Sequence, residues 1–506
     1  MSRSILSLTS RAQGLAAAPT PAPIARTGRD RPGTSAEALR RDAAETGVRL
    51  AHVVGALSHA LDLTEGQPAG HSVRTALIGM RLAECLGLPE RERSDLFYAL
   101  LLKDLGCSSN ASRLAALFGS DDHLLKYSHK LTDWTQTSDA ARFAYRHSLP
   151  GHSRLARAWH SLLLGTRARD IGRDMIATRC ERGADIAGLL GLPPGTADAI
   201  RGLDEHWDGN GMPMGLSGTA IPMLARIAGL SQTVEVFARS FDVRTAYEMA
   251  RARSGRWFDP VLVDALCTFE FDAGFWATLS GADSLEALAA VEPADRVVHA
   301  DESRLDMVAE GFAKVIDAKS PFTSRHSQNV AFLASRTAAE MGLPHREIRT
   351  LRRAALLHDI GKLGVSNRIL DKPSALDPLE MEAMRQHTRH TFDILRHVSR
   401  FRQFAAMAAA HHERLDGSGY HLGLRGDELD TSARILAVAD CTEAMCADRP
   451  YRSGLGLDEA LRRLDSLVAV GHLCPAATEA LKGWFRGLPK AATEPAASGD
   501  GAVRAA

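Results

Sequence analysis

The sequence lacks a surplus of charge of either sign and lacks long apolar runs. Lys plus Arg and Asp plus Glu both total 61, so no net charge draws the chain toward nucleic acid or an anionic membrane. No apolar run approaches the roughly 18 residues that a membrane-spanning helix needs. The N-terminal residues also lack an apolar core long enough for a signal peptide. We therefore expect a protein that contacts neither membrane nor nucleic acid directly.

Cysteine is scarce, and alternating strand patterns are rare. The seven cysteines are scattered and none forms a C-x-x-C pair, which favours reduced thiols and a cytoplasmic protein. From about residue 41 onward, apolar residues recur every three to four positions, which is the spacing of one helix face. The sequence therefore predicts an all-α fold.

Two blocks of the chain resemble two copies of one helical unit. His71 precedes Asp104 by 33 positions, and His326 precedes Asp359 by the same 33. A glycine-rich stretch farther along each block aligns at an offset of 208 residues. Spacing and identity that repeat at several places indicate two helical domains in tandem.

Composition and the repeat together divide the chain into five segments. These are a disordered segment at 1–40, a first copy at 41–272, a connector at 273–304, a second copy at 305–487 and a disordered tail at 488–506. The first copy carries an insertion at about 105–178 with five histidines. Their spacing is irregular, so the sequence favours a solvated helical face there over a further metal or anion site.

The second copy orders its histidines and carboxylates along successive helices as a metal site would. The set comprises His326, His358, Asp359, His387, His411, His412 and Asp440. Several imidazoles with a carboxylate that can bridge suit Fe, Mn, Zn or Co better than Mg. Two metals about 3.5–4 Å apart would activate a water for attack on phosphorus. Lys362 lies one helical turn after His358, within reach of a phosphate oxygen or that water.

These motifs resemble the HD-GYP family of the HD phosphohydrolase superfamily. The resemblance covers about 305–480 and rests on the stretches 358–362, 411–420 and 448–452. It implies a two- or three-metal centre that hydrolyses cyclic di-GMP, with the seven residues above as metal ligands. Within that centre, Asp359 would bridge the metals and Lys362 would assist at the phosphate.

The same resemblance implies which residues meet the substrate. Gly419 and Tyr420 fall in the loop that would form the lip of the substrate pocket. Arg449 and Arg452 are candidates for phosphate contacts, since a guanidinium binds phosphate in a bidentate way.

The second copy departs from the family pattern at several positions. His421 stands where the signature has Pro, and Pro lacks the backbone N–H that His keeps. Phe322 stands where members with a third metal have Glu, so we expect two divalent metal ions, of Fe, Mn or a similar metal. Thr391 replaces a frequent Gly, and Glu443 a frequent Asp. These changes leave the substrate open between cyclic di-GMP and another nucleotide.

The first copy has lost most of the ligand set. Aligned to the seven ligands, it reads His71, Lys103, Asp104, Arg179, Leu203, Asp204 and Gln232. Lysine and arginine repel a metal cation, but they can replace its positive charge and pair with the remaining carboxylates. We therefore interpret the first copy as degenerate and non-catalytic, with a role in support or dimer contact favoured over an effector site.

Three functions follow as hypotheses. The leading one is a metal-dependent phosphodiesterase acting on a cyclic dinucleotide, with a homodimer possible. The second is a phosphohydrolase of another nucleotide. The third is a receptor in which the first copy senses a ligand and the second binds a nucleotide without turnover. A complete ligand set in the second copy argues against pure binding.

Overall fold

A computed structural model describes residues 48–281, 285–294, 299–420, 422–449 and 452–487. Both predicted disordered termini, and the departure at His421, lie outside these residues. The described chain is helical apart from two short strands, so the predicted all-α fold is confirmed. None of its helices is long and apolar enough to cross a membrane. All seven cysteines are free thiols.

The first copy and the connector fold as a series of mostly short helices. In chain order these are α1 (Leu50–Thr64), α2 (His71–Cys85), α3 (Glu90–Leu102), α4 (Ala111–Phe118), α5 (Asp122–Leu131), α6 (Thr137–His147), α7 (Arg154–Leu189), α8 (Pro194–Arg201), α9 (Met223–Ser240), α10 (Val243–Arg253), α11 (Pro260–Cys267), α12 (Ala273–Ser280) and α13 (Leu285–Val291). Strands β1 (Val48–Arg49) and β2 (His299–Ala300) pair antiparallel.

The second copy continues with the same kind of elements. Its helices are α14 (Glu302–Asp317), α15 (His326–Glu340), α16 (His345–Leu357), α17 (Asn367–Leu370), α18 (Pro378–His397), α19 (Arg402–Ala409), α20 (Thr431–Cys446), α21 (Leu457–Ala469) and α22 (Pro475–Gly487). A 3-10 helix, Ile360–Gly364, joins α16 to α17.

The repeat seen in the sequence is a repeat of helices. Helices α2 and α15 both have 15 residues, and α3 and α16 both have 13. Each pair is offset by 255 positions, the same shift that relates the two His-Asp spacings. Farther along, α8 and α19 both have 8 residues and lie 208 positions apart. The tandem arrangement is therefore confirmed at the level of secondary structure.

The described residues form two compact units. The larger contains 48–327 and 356–409, and the smaller contains 328–355 and 410–487. In the smaller unit, α20 packs against α21 and α22, and its Ile435 and Leu436 are fully buried.

In the larger unit, helix α1 of the first copy lies against the second copy. Twelve of its 15 residues are buried, which is expected of a helix that is apolar nearly all round and has neighbours on several sides. It packs against α2 and α3 of its own copy and also against Ile360–Gly364 and α18. The first copy therefore covers the segment that follows the His-Asp pair of the second copy.

The insertion differs from the prediction of a solvated face. In α5, Asp122 and Lys126 are buried, and His147 at the end of α6 is buried as well. That prediction is wrong for these positions, because Asp122 pairs with Lys319, Lys126 lies near Glu65, and the His147 ring packs against Phe143. The first turns of α7 are exposed, including Leu155 and Trp159.

Candidate metal centre

The His-Asp pair of the second copy lies in a tight turn after α16. His358 and Asp359 follow the helix directly, and Ile360–Gly364 turns the chain. A Cβ added at Gly361 would lie 1.9 Å from the carbonyl oxygen of His387. No side chain fits in that gap, so glycine is required for the turn to rest on α18. This close approach places the carboxylate of Asp359 beside the His387 ring.

Four of the predicted metal ligands converge in the larger unit. The Nε2 atoms of His326 and His358 lie 3.3 Å apart, and each is 3.4 Å from Oδ2 of Asp359. His387 Nε2 lies 3.6 Å from the other carboxylate oxygen. All four residues are buried. Three ring nitrogens that face one buried carboxylate form the mixed N and O donor set that a transition metal prefers, so these residues fit the predicted cation.

Lys362 contacts the same carboxylate. Its Nζ donates to Asp359 Oδ2 at 2.5 Å. Burial raises the pKa of Asp359, but the neighbouring His358 and Lys362 outweigh burial and hold that pKa well below its usual value. Asp359 is therefore ionised, the state in which a carboxylate can bind a metal ion.

Several hydrogen bonds fix the orientation of these ligands. His387 Nδ1 donates to the Met384 carbonyl at 2.6 Å, which leaves Nε2 to face Asp359. The Thr391 hydroxyl accepts from Gly361 N at 3.1 Å and donates to the His358 carbonyl at 2.8 Å. In the sequence, Thr391 stands out only as a departure from the family, and this positioning contact was not predicted.

The start of α15, which carries His326, is held in the same manner as the start of α2, which carries His71. The backbone N and the hydroxyl of Ser327 donate to Asp317 at 3.0 and 2.7 Å. In the first copy, Ser72 donates to Asp62 at the same two distances. This pair anchors the first helical turn, and with it the histidine that begins it.

The remaining three predicted ligands lie together in the smaller unit. His412 Nδ1 is 3.8 Å from Asp440 Oδ2, and the rings of His411 and His412 have their centroids 4.2 Å apart. The Tyr420 ring centroid lies 4.5 Å from that of His412. Tyr420, predicted as a substrate residue, is thus next to a predicted metal ligand.

Glu413 organises the loop that carries Gly419 and Tyr420. Its carboxylate accepts backbone N–H bonds from Leu422 and Leu424 at 3.0 and 3.1 Å. A Cβ added at Gly419 would lie 2.5 Å from Glu413 Cα, so the loop folds tightly onto this residue. Glu413 was not predicted as a functional residue. The repeat carried the signal, because the first copy has Glu205 at the same offset of 208.

The two predicted phosphate-binding arginines lie after α20. The guanidinium of Arg452 donates to the carbonyls of Ala444 and Met445 at 2.6 and 3.0 Å. These are carbonyls of the last helical turn, so Arg452 caps the C-terminus of α20. Arg449 pairs with Arg452 through backbone hydrogen bonds, and its side chain is partly exposed.

Comparison with known proteins decides the family. A family model described as HD domain matches residues 158–262 and 310–475, more than half of the chain and once in each copy. The chain belongs to the HD domain family. The 3'3'-cGAMP-specific phosphodiesterase 3 of Vibrio cholerae is 41% identical to it over 412 residues, 81% of this chain and 89% of that protein.

Two further matches agree with this family. A cyclic di-GMP phosphodiesterase of Thermotoga maritima is 47% identical over 147 residues, 29% of this chain and 40% of that protein. A crystal structure described as a cyclic GMP-AMP specific phosphodiesterase of V. cholerae has a TM-score of 0.61 and 35% identity, covering 88% of this chain and 99% of that one. The protein is therefore a metal-dependent phosphodiesterase of the HD-GYP type.

In the first HD-GYP copy, side-chain ammonium groups stand where metal would be bound. Lys103 Nζ lies 3.1 Å from His71 Nε2 and forms an ion pair with Asp104. Lys130 of the insertion lies 3.6 Å from the same carboxylate and 3.0 Å from Glu65. Burial and then the charge of Lys103 lower the pKa of His71 to about 4, so its ring is neutral.

The predicted pairing of cationic side chains with the remaining carboxylates of this copy is confirmed. Lys103 pairs with Asp104, and Arg179 pairs with Asp204. The contribution of Lys130 was not predicted, because it comes from the insertion and has no counterpart in the alignment of the copies. These ion pairs give the buried Asp104 and the neighbouring Glu65 and Asp204 a cationic partner each.

Proposed function

We propose that this HD-GYP protein hydrolyses 3'3'-cGAMP at a two-metal centre in its second copy. The observation that carries the proposal is the convergence of His326, His358 and His387 on the ionised carboxylate of Asp359. The proposed ligand set is His326, His358, Asp359, His387, His411, His412 and Asp440.

The surrounding residues have distinct parts in this proposal. The bound metal ions, Fe, Mn or a similar metal, would supply an activated water and neutralise phosphate charge. Asp359 would hold the ions through both its oxygens, and Lys362 would orient that carboxylate and stabilise charge on a phosphoryl oxygen. Tyr420, on the loop held by Glu413, would contact the nucleotide together with Gly419 and the partly exposed Arg449. Arg452 would set the backbone of that contact rather than bind phosphate itself.

The substrate proposal combines two lines of similarity. A relative that aligns with most of this chain and one that aligns with less than a third of it are both named as phosphodiesterases of cyclic dinucleotides. The V. cholerae relative that aligns with 81% of this chain is named for 3'3'-cGAMP, which favours that substrate. The Thermotoga relative, named for cyclic di-GMP, matches only 29% of the chain. Cyclic di-GMP, which the sequence motifs favoured, is the second candidate.

We further propose that the first copy, at about 41–272, has no catalytic metal. Lys103 and Lys130 already supply positive charge to Asp104 and its neighbour Glu65. A divalent ion added there would face two ammonium groups a few ångströms away. The copy would instead support the second one.

The experiment measures the turnover of cyclic dinucleotides by protein that has been purified without oxygen and supplied in turn with Mn²⁺ and Fe²⁺. Linear product from 3'3'-cGAMP and from cyclic di-GMP would be separated by chromatography. His358→Ala should abolish turnover of both, whereas His345→Ala, which changes an exposed histidine at the start of the helix that precedes His358, should retain it. Metal binding with nucleotide binding but no linear product would contradict the enzyme and favour a receptor. A preference for cyclic di-GMP would contradict the substrate alone.

A further inference from the structure

The insertion helix α5 begins against segments of the second copy that lie next to the predicted metal ligands in the chain. Oδ1 of Asp122 accepts hydrogen bonds from the backbone N of Asn367 at 2.8 Å and from the Ser366 hydroxyl at 3.2 Å. Its Oδ2 pairs with Lys319 Nζ at 3.0 Å. Neither the Asp122 nor the Lys319 side chain is more than 2% exposed, so this is a buried ion pair of one carboxylate and one ammonium.

The partners of Asp122 lie on both sides of the metal ligands in the chain. Lys319 precedes His326 by seven residues, and Asn367 follows Asp359 by eight. Asn367 Nδ2 also donates to the Lys319 carbonyl at 2.8 Å, which joins the two segments to each other. One carboxylate of the first copy therefore ties together the segments that lead into His326 and out of the His-Asp turn.

The next residue of α5 strengthens this contact. His123 Nε2 lies 3.0 Å from Lys319 Nζ and 3.1 Å from the Leu363 carbonyl, one residue after Lys362. Burial, followed by the charge of Lys319, lowers the pKa of His123 to about 4. Through this one nitrogen, a neutral ring either accepts a hydrogen bond from the Lys319 ammonium group or donates one to the Leu363 carbonyl, and in both tautomers it contacts the second copy.

The ligand atoms of Asp121, Asp122 and His123 lie close enough to suggest a cation site. Lys319 already holds the position that a cation would take, because its Nζ is 3.0 Å from both the Asp122 carboxylate and the His123 ring. The cluster is accordingly a contact between the copies. The function of this contact depends on the segments of the second copy that it holds together.

The other end of α5 lies in the degenerate site of the first copy. Lys126 donates to the Thr64 carbonyl at 2.8 Å, and Lys130 pairs with Glu65 and approaches Asp104. With ten residues, α5 is about 15 Å long at the rise of an α-helix. A single rigid helix thus joins the degenerate site to the segments that flank His326 and Asp359.

We propose that Asp122 is a positioning residue for the metal ligands of the second copy. By fixing Lys319 and Asn367, it holds the segments that place His326 and Asp359 at the distance that a metal ion requires. This inference rests on the proposed function, since it assigns Asp122 to the same centre. It gives the first copy a specific part in catalysis, through α5, without any chemistry of its own.

The test compares Asp122→Asn with Asp121→Asn. Both remove one negative charge from the start of α5, but Asp121 caps the helix through Leu124 N, a role that Asn also fills. The readouts are the Kd for Mn²⁺, measured by EPR without substrate, and kcat and KM for 3'3'-cGAMP and cyclic di-GMP. Asp122→Asn should weaken Mn²⁺ binding and lower kcat by about tenfold or more, the effect of losing a residue that orients ligands. KM should stay within about threefold, because no substrate contact is lost.

A second variant covers the case in which Asp122→Asn does not fold. Asp122→Ala with Lys319→Met removes both members of the buried pair, so no unpaired charge remains. The double variant should fold, as judged by its thermal transition, yet bind Mn²⁺ more weakly than wild type, since Asn367 and Ser366 lose their acceptor. Mn²⁺ binding and turnover at wild-type levels would overturn the proposal, because Asp122 would then serve only to neutralise Lys319.

Failure of the proposed function gives a different result. If wild type binds Mn²⁺ but opens neither cyclic dinucleotide, the phosphodiesterase proposal fails while the Mn²⁺ affinities still decide the role of Asp122. If Asp122→Asn and Asp121→Asn bind Mn²⁺ and turn over substrate alike, the positioning role is overturned and the function stands. No Mn²⁺ binding by wild type would overturn both.

Discussion

At the scale of single residues, the site depends on groups that orient the ligands as much as on the ligands themselves. Glu413 shows this, because it makes no predicted metal bond yet accepts two backbone N–H groups of the loop that carries Tyr420. The same arrangement in the first copy uses Glu205, which accepts from Met214 and Leu216. The two copies have kept the loop anchor while only one kept the ligands.

The Glu413 anchor leads to a test with a control inside the same chain. Glu413→Gln should raise KM for the cyclic dinucleotide by about tenfold, because one lost charge-assisted hydrogen bond is worth about 1.5 kcal/mol or more. The thermal transition should change little. Glu205→Gln makes the same change at the matching position of the first copy, and its KM should equal that of wild type. Equal KM values for both variants would contradict a substrate role for the loop.

The buried His71 predicts how stability depends on pH. Burial, followed by Lys103, lowers the pKa of the folded state from 6.5 to about 4. Between pH 4 and pH 6.5, the histidine is protonated in the unfolded chain but neutral in the folded one. The contribution of His71 to the free energy of unfolding is therefore complete above pH 6.5 and is lost as the pH falls toward 4. The expected slope is up to about 1.4 kcal/mol per pH unit.

The measurement is the free energy of unfolding in urea at pH 7.5, 6 and 5, compared with His71→Gln. The neutral amide should reduce the slope of the unfolding free energy against pH by the equivalent of about one bound proton. His345→Ala, which changes an exposed histidine, should leave that slope unchanged. A slope that His71→Gln does not alter would assign the acid sensitivity to other groups.

At the scale of elements, the decisive packing is between the His-Asp turn and α18. Gly361→Ala would place a methyl group 1.9 Å from the His387 carbonyl oxygen, so the turn and the helix must separate. His387 would then leave Asp359, and Mn²⁺ affinity and kcat should fall by about 10- to 100-fold. An EPR titration with Mn²⁺ would detect the loss of affinity, and a turnover assay would detect the fall in kcat.

Gly364→Ala is the matched control for this contact. It adds the same methyl group three residues later, in the same 3-10 helix, where the nearest atoms are side-chain atoms at 3.4 Å or more. These are ordinary contacts, so Mn²⁺ affinity and kcat should stay within about twofold of wild type. If Gly364→Ala were as damaging as Gly361→Ala, the loss would reflect the flexibility of the segment rather than its approach to α18.

The elements also show where sequence reasoning reached its limit. Helical periodicity and the repeat sufficed to predict an all-α tandem fold, and the family motifs sufficed to predict a cluster containing His326, His358, Asp359 and His387. The burial of Asp122 could not be predicted, since its partner Lys319 is 197 positions away and no periodicity reports a contact between distant segments. For the same reason the insertion was interpreted as a solvated face.

At the scale of the whole molecule, the two copies do not fold as two independent domains. Among its described residues, the larger compact unit contains the first copy and the connector together with 305–327 and 356–409 of the second copy. Helix α1 lies against Ile360–Gly364 and α18, and its Leu57 and Leu61 are fully buried. A sequence boundary between domains therefore does not coincide with a boundary in packing.

This packing predicts the fate of the second copy expressed alone. A fragment of residues 299–487 keeps all seven proposed ligands but loses α1 and the ion pair between Asp122 and Lys319. Lys319 would lose its carboxylate partner, and the apolar face of the second copy that α1 covers would meet water. We expect the fragment to aggregate or to unfold without a cooperative thermal transition, and to lack turnover.

Co-expression separates packing from chain connectivity. Residues 1–298 supplied as a separate chain should bind the fragment and restore a cooperative transition, Mn²⁺ binding and turnover of the cyclic dinucleotide. The first copy carrying Asp122→Asn should restore the transition less well, because its contact with Lys319 is weaker. A fragment that is monomeric, cooperatively folded and as active as the full chain would show that the second copy needs neither α1 nor α5, and the supporting role assigned to the first copy would then be wrong.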